Sequence, residues 1–383
     1  MTRLELVVGP PAHGGHCVSR VDGRVVFVRH ALPGERVVAV VTEQRRGYWR
    51  ADAVEVLDPS PERVTPPCPY AGPGRCGGCD LQHASAPAQL AWKTAVVRDQ
   101  LARLAGLPDH PVTVDAVGGG LLHWRSRTRY AVSELGVAGL LAHRSARVVP
   151  LDECLIARDS SVVLERSWPP SSSVEAVVSS GGDTAVLVDG SPVEGPPVVR
   201  ERAVGREWTV EPGGFWQVHP RAPDTLAGTV VELLSPRRDE YAWDLYGGAG
   251  LFAAALGCRV TVVEASARGV AAARRNLPGV DVVHAPVERA VPRLSTPDIV
   301  VLDPPRAGAG RVVVEGIVAA GPRAVAYVAC DPATFARDVG TFRAAGWRLA
   351  DLRAYDIYPM THHLECVGLL TPAGAGPGAP RPR

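Results

Sequence analysis

The sequence predicts an α/β protein whose C-terminal half forms a doubly wound, largely parallel sheet, preceded by a small β-barrel and a central α+β region. Three observations support this prediction. From about residue 206, apolar strand-like runs alternate with helical runs, and each strand run ends at a polar or Gly-rich turn. Residues 1–58 hold short β-rich runs between Gly/Pro turns, which is typical of an OB-like barrel. Residues 59–205 combine a helical pattern over 88–104 with a cluster of cysteines.

The composition indicates a water-soluble globular chain. Of its 383 residues, 46% are hydrophobic and 21% are charged, which allows two or three domains with buried cores. No apolar run approaches the ~20 residues that a membrane span needs, and the N-terminus lacks a signal-peptide pattern. We therefore expect a cytoplasmic monomer without a membrane partner. The Pro/Gly-rich residues 373–383 predict a disordered tail.

Two stretches interleave arginine with aromatic residues, RRGYWR (45–50) and HWRSRTRY (123–130). Such stretches suit an RNA surface, where arginine neutralises phosphates and aromatic rings stack on bases. The solvated face of a strand explains each of them equally well.

Candidate cofactor residues stand at the predicted strand ends. In DLYGGAG (244–250), the glycines after Tyr246 let a ligand approach the backbone closely, and Glu264 ends the next strand, where a carboxylate can accept hydrogen bonds from ribose hydroxyls. Enzymes that use nicotinamide and enzymes that use S-adenosylmethionine share this pair. Asp303, in VLDPPRAG, ends a further strand before two prolines, an arrangement typical of Rossmann-like nucleic-acid methyltransferases.

A cysteine and a glutamate in the last strand runs suit methylation of a pyrimidine at C5. Because that carbon is a poor nucleophile, an enzyme first adds a thiolate to C6, and a base later removes the C5 proton. Cys330 ends the run AVAYVAC, and Glu365 lies in the apolar run within 355–370, where a carboxylate is costly without a partner or a role. A core cysteine and a salt-bridged glutamate are the alternatives.

The motifs DLYGGAG, VLDPPRAG, YVACDPATFARD and YPMTHHLECV, in this order, resemble those of the RNA uridine-5-methyltransferase family, and GGFWQVHP (213–220) resembles its Phe-aromatic-Gln element. This resemblance implies a Rossmann-like class I methyltransferase domain over 206–372. It also implies that Cys330 is the nucleophile and Glu365 the base, and that S-adenosylmethionine contacts Gln217, Tyr246, Glu264 and Asp303. Leu251 and His219 depart from the family pattern, in which asparagine is usual at these positions.

Four of the eight cysteines form a candidate metal site. Cys68, Cys76 and Cys79 lie within CPYAGPGRCGGCDLQH (68–83), and Cys154 is the best-placed fourth thiolate. The Cys-x-x-Cys spacing suits zinc, an iron–sulfur cluster or a redox dithiol, although no βαβ pattern supports the redox use. The segment resembles the [4Fe–4S]-binding segment of the family members that act on ribosomal RNA, which implies iron–sulfur rather than zinc. Residues 1–58 resemble the TRAM barrel that many of these enzymes carry, which implies RNA binding.

The sequence therefore predicts S-adenosylmethionine-dependent formation of 5-methyluridine in structured RNA, with ribosomal RNA favoured over transfer RNA. The target uridine would have to be flipped out of its stack to expose C5 and C6. Two alternatives remain open. One is a methyltransferase acting on an exocyclic base nitrogen, for which Cys330 and Glu365 are incidental. The other is a non-catalytic RNA-binding module.

Overall fold

The computed structural model describes residues 2–374. Most of the tail expected at 373–383 lies outside the described residues, from position 375 onward. No helix within the described range is long and apolar enough to cross a membrane.

The N-terminal sheet closes into the barrel that the sequence predicts. The chain after its first strand hydrogen-bonds back to the third, since the Gly9 N–H donates to the Val18 carbonyl at 2.8 Å. Small apolar side chains such as Cys17 and Val28 fill the interior and are 0% exposed. The strands pair in the order β1-β5-β6-β4-β3-β2, where they are β1 (Arg3–Val7), β2 (Pro11–Ala12), β3 (His16–Val21), β4 (Arg24–Arg29), β5 (Arg36–Gln44) and β6 (Tyr48–Asp58).

The central region begins with a helix and continues into an antiparallel sheet. The Ser85 side chain caps the helix by accepting the Ala88 N–H, and Pro87 lies in the first turn, where its missing N–H costs nothing. The helix predicted at 88–104 is thereby confirmed and starts slightly earlier. The elements are α1 (Ala86–Gln100), which continues as a π-helical turn (Leu101–Ala105), β7 (Val114–Ala116), β8 (Arg127–Val132), β9 (Ala138–Leu141), β10 (Val148–Pro150), α2 (Ser161–Leu164), β11 (Ser173–Val178), β12 (Thr184–Val188), β13 (Ser191–Glu194), β14 (Val199–Ala203) and β15 (Arg206–Val210). Six of these strands form a sheet in the order β10-β9-β8-β11-β12-β13, and β14 and β15 form a hairpin.

The two arginine–aromatic stretches differ in exposure, although His123 and Arg129 of the second are exposed. Residues 45–50 are exposed or half-buried. In residues 123–130, by contrast, Trp124 is 2% exposed, and the buried Arg127 forms an ion pair with Glu201 at 3.3 Å. The hypothesis that 123–130 is an RNA surface is wrong for these side chains, because they belong to the core of the central region.

The C-terminal sheet has eight strands, and five of them are parallel neighbours, as the sequence predicts. The elements are α3 (Ala222–Leu234), β16 (Tyr241–Leu245), α4 (Leu251–Leu256), β17 (Arg259–Glu264), α5 (Ala267–Asn276), β18 (Asp281–His284), α6 (Val287–Ala290), a 3₁₀ turn (Val291–Arg293), β19 (Ile299–Leu302), α7 (Gly310–Ala320), β20 (Ala324–Ala329), α8 (Pro332–Ala344), β21 (Trp347–Asp356) and β22 (Glu365–Pro372). The strand order is β18-β17-β16-β19-β20-β22-β21-β7, and β22 runs antiparallel between β20 and β21.

This topology determines where a ligand can bind. The strand order reverses beside β16, and open α/β sheets bind ligands in the crevice at the carboxyl ends of the strands next to such a reversal. Strands β19 and β20 are buried at every residue, because helices cover both faces of the sheet. This double burial explains their continuous apolar runs.

Candidate active site

The turn after β16 is tightly constrained. Tyr246 has a φ of +62°, in the left-handed region that a bulky residue seldom adopts. A Cβ atom at Gly247 would lie 3.0 Å from a carboxylate oxygen of Asp244, so only glycine fits between the turn and the strand end. The Asp303 N–H donates to the Leu245 carbonyl at 3.2 Å, which joins the ends of β16 and β19. Two predicted cofactor contacts, Tyr246 and Asp303, therefore stand at adjoining strand ends.

Glu264, the last residue of β17, is tied to the same turn. Its carboxylate accepts the Gly248 N–H at 2.9 Å and the Ser266 N–H at 2.6 Å. Gly269 of α5 lies against this side chain, since a Cβ atom there would be 2.7 Å from Cγ of Glu264. The predicted acid and the Gly-rich turn thus lie together.

Asp244, the first residue of the DLYGGAG motif, is a further functional candidate that the sequence alone does not predict. It is 0% exposed. One carboxylate oxygen accepts the Ala253 N–H at 2.9 Å, whereas the other has no partner among the described residues. Burial, assisted by the nearby carboxylates of Asp303 and Glu264, raises the pKa of Asp244 to about 7. The Gly-rich turn therefore packs against the Asp244 carboxyl group, which can be neutral.

The predicted nucleophile and base lie on neighbouring strands. Ala329 of β20 pairs with Cys366 of β22, so the same register extended by one residue sets Cys330 opposite Glu365. Directly opposed residues of antiparallel strands have Cβ atoms about 4.5–5.5 Å apart. Cys330 is half-buried, and Glu365 is 2% exposed. Strand pairing thus brings the two predicted groups together.

Cys330 and Glu365 are electrostatically coupled to Asp303. Burial raises the pKa of Cys330 to about 12, and the carboxylates of Glu365 and Asp303 add to this effect. Burial also raises the pKa of Glu365 well above its ordinary value and that of Asp303 to about 7. The Arg306 guanidinium opposes the shifts at Cys330 and Glu365. Burial thus favours the neutral forms of both groups, and a positive group entering the pocket would favour their ionised forms.

Arg306 and Tyr358 are functional candidates that the sequence analysis missed. Tyr358 donates a hydrogen bond to the Glu365 carboxylate, which partly counters the effect of burial on the pKa of Glu365. The Tyr358 ring also packs edge-on against the rings of Trp124 and His363, with centroids 6.1 and 5.9 Å away. Both residues belong to motifs that the sequence analysis quotes, VLDPPRAG and YPMTHHLECV, but a motif does not reveal which way a side chain points.

Gln217 lies in the loop that follows β15 and is 7% exposed. Arg268, at the start of α5, donates to the Gly213 carbonyl at 3.2 Å, so this loop borders the helix that follows β17. His219 is buried and stacks on Trp124 with ring centroids 5.8 Å apart. Burial lowers the pKa of His219 to about 4, so it is a neutral imidazole in the interior.

The barrel contacts the segment next to Cys330 through His13. Its Nε2 lies 2.9 Å from a carboxylate oxygen of Asp331, the residue next to Cys330. Asp331 also caps α8 by accepting the Thr334 N–H at 2.8 Å. Burial disfavours the charged form of Asp331, but these hydrogen bonds outweigh it and lower the pKa to about 2. The turn between β2 and β3 therefore contacts the segment that carries Cys330.

The four cysteines of the predicted metal site line one small pocket. They are free thiols, as are the other four cysteines. The Gly78 N–H lies 3.4 Å from Sγ of Cys76. Burial raises the pKa of Cys154, and the backbone N–H groups of Ala157 and Ile156 partly counter this effect. Among residues 2–374, no group of three or more His, Cys, Asp or Glu side chains has the arrangement of a metal site. The four thiols therefore share one pocket, but they do not have the arrangement of metal ligands.

Family models match both ends of the chain. The TRAM domain matches residues 2–54, and tRNA (Uracil-5-)-methyltransferase matches residues 293–373. The second match includes Asp303, Cys330 and Glu365.

Similar proteins extend the likeness over the whole chain. An RNA methyltransferase of Streptomyces avermitilis is 46% identical, over 97% of this chain and 99% of that protein. The 23S rRNA (uracil(1939)-C(5))-methyltransferase RlmD of Shewanella sp. is 30% identical, over 93% of each. The crystal structure of Pyrococcus abyssi tRNA (uracil-54, C5)-methyltransferase in complex with S-adenosyl-L-homocysteine shares the fold, with a TM-score of 0.74 and 21% identity over 96% of this chain and 99% of that one. With relatives of this identity along nearly its full length, the chain belongs to the family of S-adenosylmethionine-dependent RNA (uracil-5-)-methyltransferases that carry a TRAM domain.

Proposed function

We propose that this enzyme methylates C5 of one uridine in structured RNA through a covalent bond between Cys330 and C6 of the base. The observation that carries the proposal is the strand register that sets Cys330 opposite Glu365. A thiol on one side of a base-sized site and a carboxylate on the other are the two groups that C5 methylation needs. Methylation of an exocyclic nitrogen, the alternative, would leave both without a role.

Each of the two residues has a defined step. Cys330 loses its proton to solvent, and its sulfur bonds to C6 while the C5–C6 double bond shifts its electrons towards C5 and the carbonyl at C4. S-adenosylmethionine, when bound, supplies the electrophilic methyl group. The Glu365 carboxylate then takes the proton from C5, the C6–S bond breaks, and the double bond is restored. Arg306 favours the ionised forms that both residues need, because it lowers the pKa of each.

We assign the cofactor contacts to Gln217, Tyr246, Glu264 and Asp303. Glu264 is suited to the ribose hydroxyls, since its carboxylate is already held at the Gly-rich turn by two N–H groups. Tyr246 and Asp303 stand at the two adjoining strand ends, where a sheet of this topology binds its ligand. Gln217 approaches from the loop after β15.

We further propose that Cys68, Cys76, Cys79 and Cys154 hold a [4Fe–4S] cluster. The donor chemistry suits a cluster, because four free thiols share one pocket and the Gly78 N–H donates to the Cys76 sulfur, as backbone N–H groups do around iron–sulfur centres. Methyl transfer consumes no electrons, so the cluster would be a structural cross-link. Iron, sulfide and zinc analysis of anaerobically purified protein tests this, and stoichiometric zinc without iron would overturn it.

We propose ribosomal RNA as the substrate and the cytoplasm as the compartment, with the enzyme acting as a monomer. The relative named for 23S rRNA is 30% identical to this chain, whereas the solved structure named for tRNA is 21% identical. Mapping 5-methyluridine in ribosomal and transfer RNA from a deletion strain tests the substrate. A missing modification in transfer RNA alone would contradict it.

The covalent step is tested with RNA that contains 5-fluorouridine, because fluorine at C5 cannot be removed as a proton. Wild type with S-adenosylmethionine should form an adduct that survives denaturation, and Cys330→Ala should form none. Glu365→Gln should accumulate adduct on ordinary uridine RNA, since release needs proton removal. Cys258→Ala is a matched control, because this half-buried cysteine precedes β17, at the amino-terminal ends of the parallel strands and away from the candidate active site. An adduct in Cys330→Ala, or normal turnover in Glu365→Gln, would refute the assignment.

A further inference from the structure

The loop of residues 357–364 joins β21 to β22 and leads directly into Glu365. Met360, in its middle, has a φ of +67°. A side chain in this left-handed region costs about 1–3 kcal/mol and persists only where the surroundings enforce it. Because the loop fixes where β22 begins, its conformation also fixes the direction of the Glu365 carboxylate.

Two buried polar side chains of α1 hold this loop. Gln89 and Lys93 are both 0% exposed, and their spacing of four residues puts them on one face of the helix. Oε1 of Gln89 accepts the Met360 N–H at 2.9 Å. Nζ of Lys93 donates to the Asp356 carboxylate at 2.5 Å and to the Tyr358 carbonyl at 3.1 Å.

Asp80, which directly follows Cys79, holds the loop from its other side. The N–H groups of Asp80 and Leu81 donate to the Met360 carbonyl at 3.0 and 2.9 Å. The Asp80 carboxylate accepts hydrogen bonds from the His362 ring at 2.6 Å and from the His362 backbone N–H at 3.2 Å. Both polar groups of the Met360 backbone are thus bonded to the central region.

Lys93 is the single lysine of a chain that otherwise uses arginine for its cations. Burying an ammonium group is costly unless it is paired, and this one is completely enclosed. Its compact head can serve a carboxylate and a carbonyl in a space that the planar arginine fork does not fit. The single lysine of the chain therefore binds the residues at which the loop leading to Glu365 begins.

We infer that Asp80, Gln89 and Lys93 are positioning residues for the catalytic base, holding loop 357–364 in the strained conformation that aims Glu365 at C5. This inference rests on the proposed function. Cys330 follows β20 and is not part of this loop. These three residues therefore act on proton removal and release far more than on formation of the adduct.

The test compares two rates in Lys93→Met and Gln89→Leu. Trapping on 5-fluorouridine RNA does not need the base, so it should stay within about threefold of wild type. Turnover on ordinary uridine RNA should fall about 100-fold, the usual effect of an ångström-scale misplacement, and adduct should accumulate. In the double variant Lys93→Met/Asp356→Leu, the apolar pair should restore stability towards wild type, while turnover stays low.

Glu240→Gln serves as a control, because it breaks a partly buried ion pair with Arg323 at the amino-terminal ends of β16 and β20, where N–H and carboxylate groups lie 2.6 Å apart. It should lose stability and keep the wild-type ratio of turnover to trapping. A Lys93→Met protein that is folded and loses both rates equally, or keeps both, would overturn the inference. Absence of the wild-type adduct would instead overturn the proposed function, and this inference with it.

Discussion

Gly269 limits how Glu264 can be held, and replacing it is a direct test of the cofactor site. It lies in the first turn of α5, after the Ser266 cap. An alanine there would put Cβ 2.7 Å from Cγ and 3.0 Å from Cδ of Glu264. Folded proteins essentially never show contacts that short. In Gly269→Ala the Glu264 side chain must shift, and it then cannot keep both hydrogen bonds from Gly248 and Ser266.

The size of the effect follows from these bonds. A hydrogen bond to a charged group is worth about 1.5–3 kcal/mol, so losing one should outweigh the gain of about 1 kcal/mol that alanine brings to a helix. We expect Gly269→Ala to unfold at a free energy lower by about 0.5–2 kcal/mol. A displaced Glu264 carboxylate also misses a ribose hydroxyl, which weakens S-adenosylmethionine binding about 10- to 100-fold.

Calorimetric titration of S-adenosylmethionine measures the affinity, and urea unfolding measures the stability. Gly228→Ala is the matched control, since Gly228 lies in α3 and its Cβ would meet nothing within 4 Å. This control should bind the cofactor like wild type and gain stability. An unchanged dissociation constant in Gly269→Ala would refute the assignment of Glu264 to the ribose.

Three further results are expected. His13→Ala removes the hydrogen bond to Asp331. It should lower kcat about tenfold and leave the KM for S-adenosylmethionine unchanged, which steady-state kinetics measure. An unchanged kcat would exclude the barrel from positioning Cys330. Because burial raises the pKa of Cys330 to about 12, trapping on 5-fluorouridine RNA should speed up about tenfold per pH unit between about pH 6 and 9, and a flat profile would contradict a resting thiol. Hydrogen bonds from Arg323 outweigh the burial of Glu240 and lower its pKa from 4.5 to about 2. Its stabilisation of about 3 kcal/mol is therefore present above the unfolded-state pKa and lost as the pH falls towards 2, and Glu240→Gln should flatten urea-measured stability across that window.

The C-terminal sheet could be predicted because doubly covered parallel strands leave an unmistakable pattern. Strands β19 and β20 are buried on both faces, so they must be continuously apolar, and the polar residues that follow them mark the site edge. The pairing of β22 with β20 has no such local signal. It depends on a register between distant segments, and the sequence associates Cys330 with Glu365 through resemblance to a family rather than through strand order.

Buried polar side chains could not be predicted, because their partners lie far along the chain. Arg127 looks like a surface arginine until Glu201, 74 residues later, neutralises it inside the core. Gln89 and Lys93 look like the polar face of an ordinary helix, and their partners Met360 and Asp356 are 271 and 263 residues away. Only the folded chain reveals these pairs.

The insertion of β22 between β20 and β21 has a consequence for biosynthesis. The ribosome makes the barrel, the cysteine pocket, the Gly-rich turn and Cys330 before it makes Glu365. Until β22 has emerged and entered the sheet, β20 and β21 lack their common neighbour, and Cys330 has no Glu365 opposite it. On the proposed mechanism, a nascent chain without β22 has no group to take the C5 proton. Turnover would then begin only when the last strand completes the sheet.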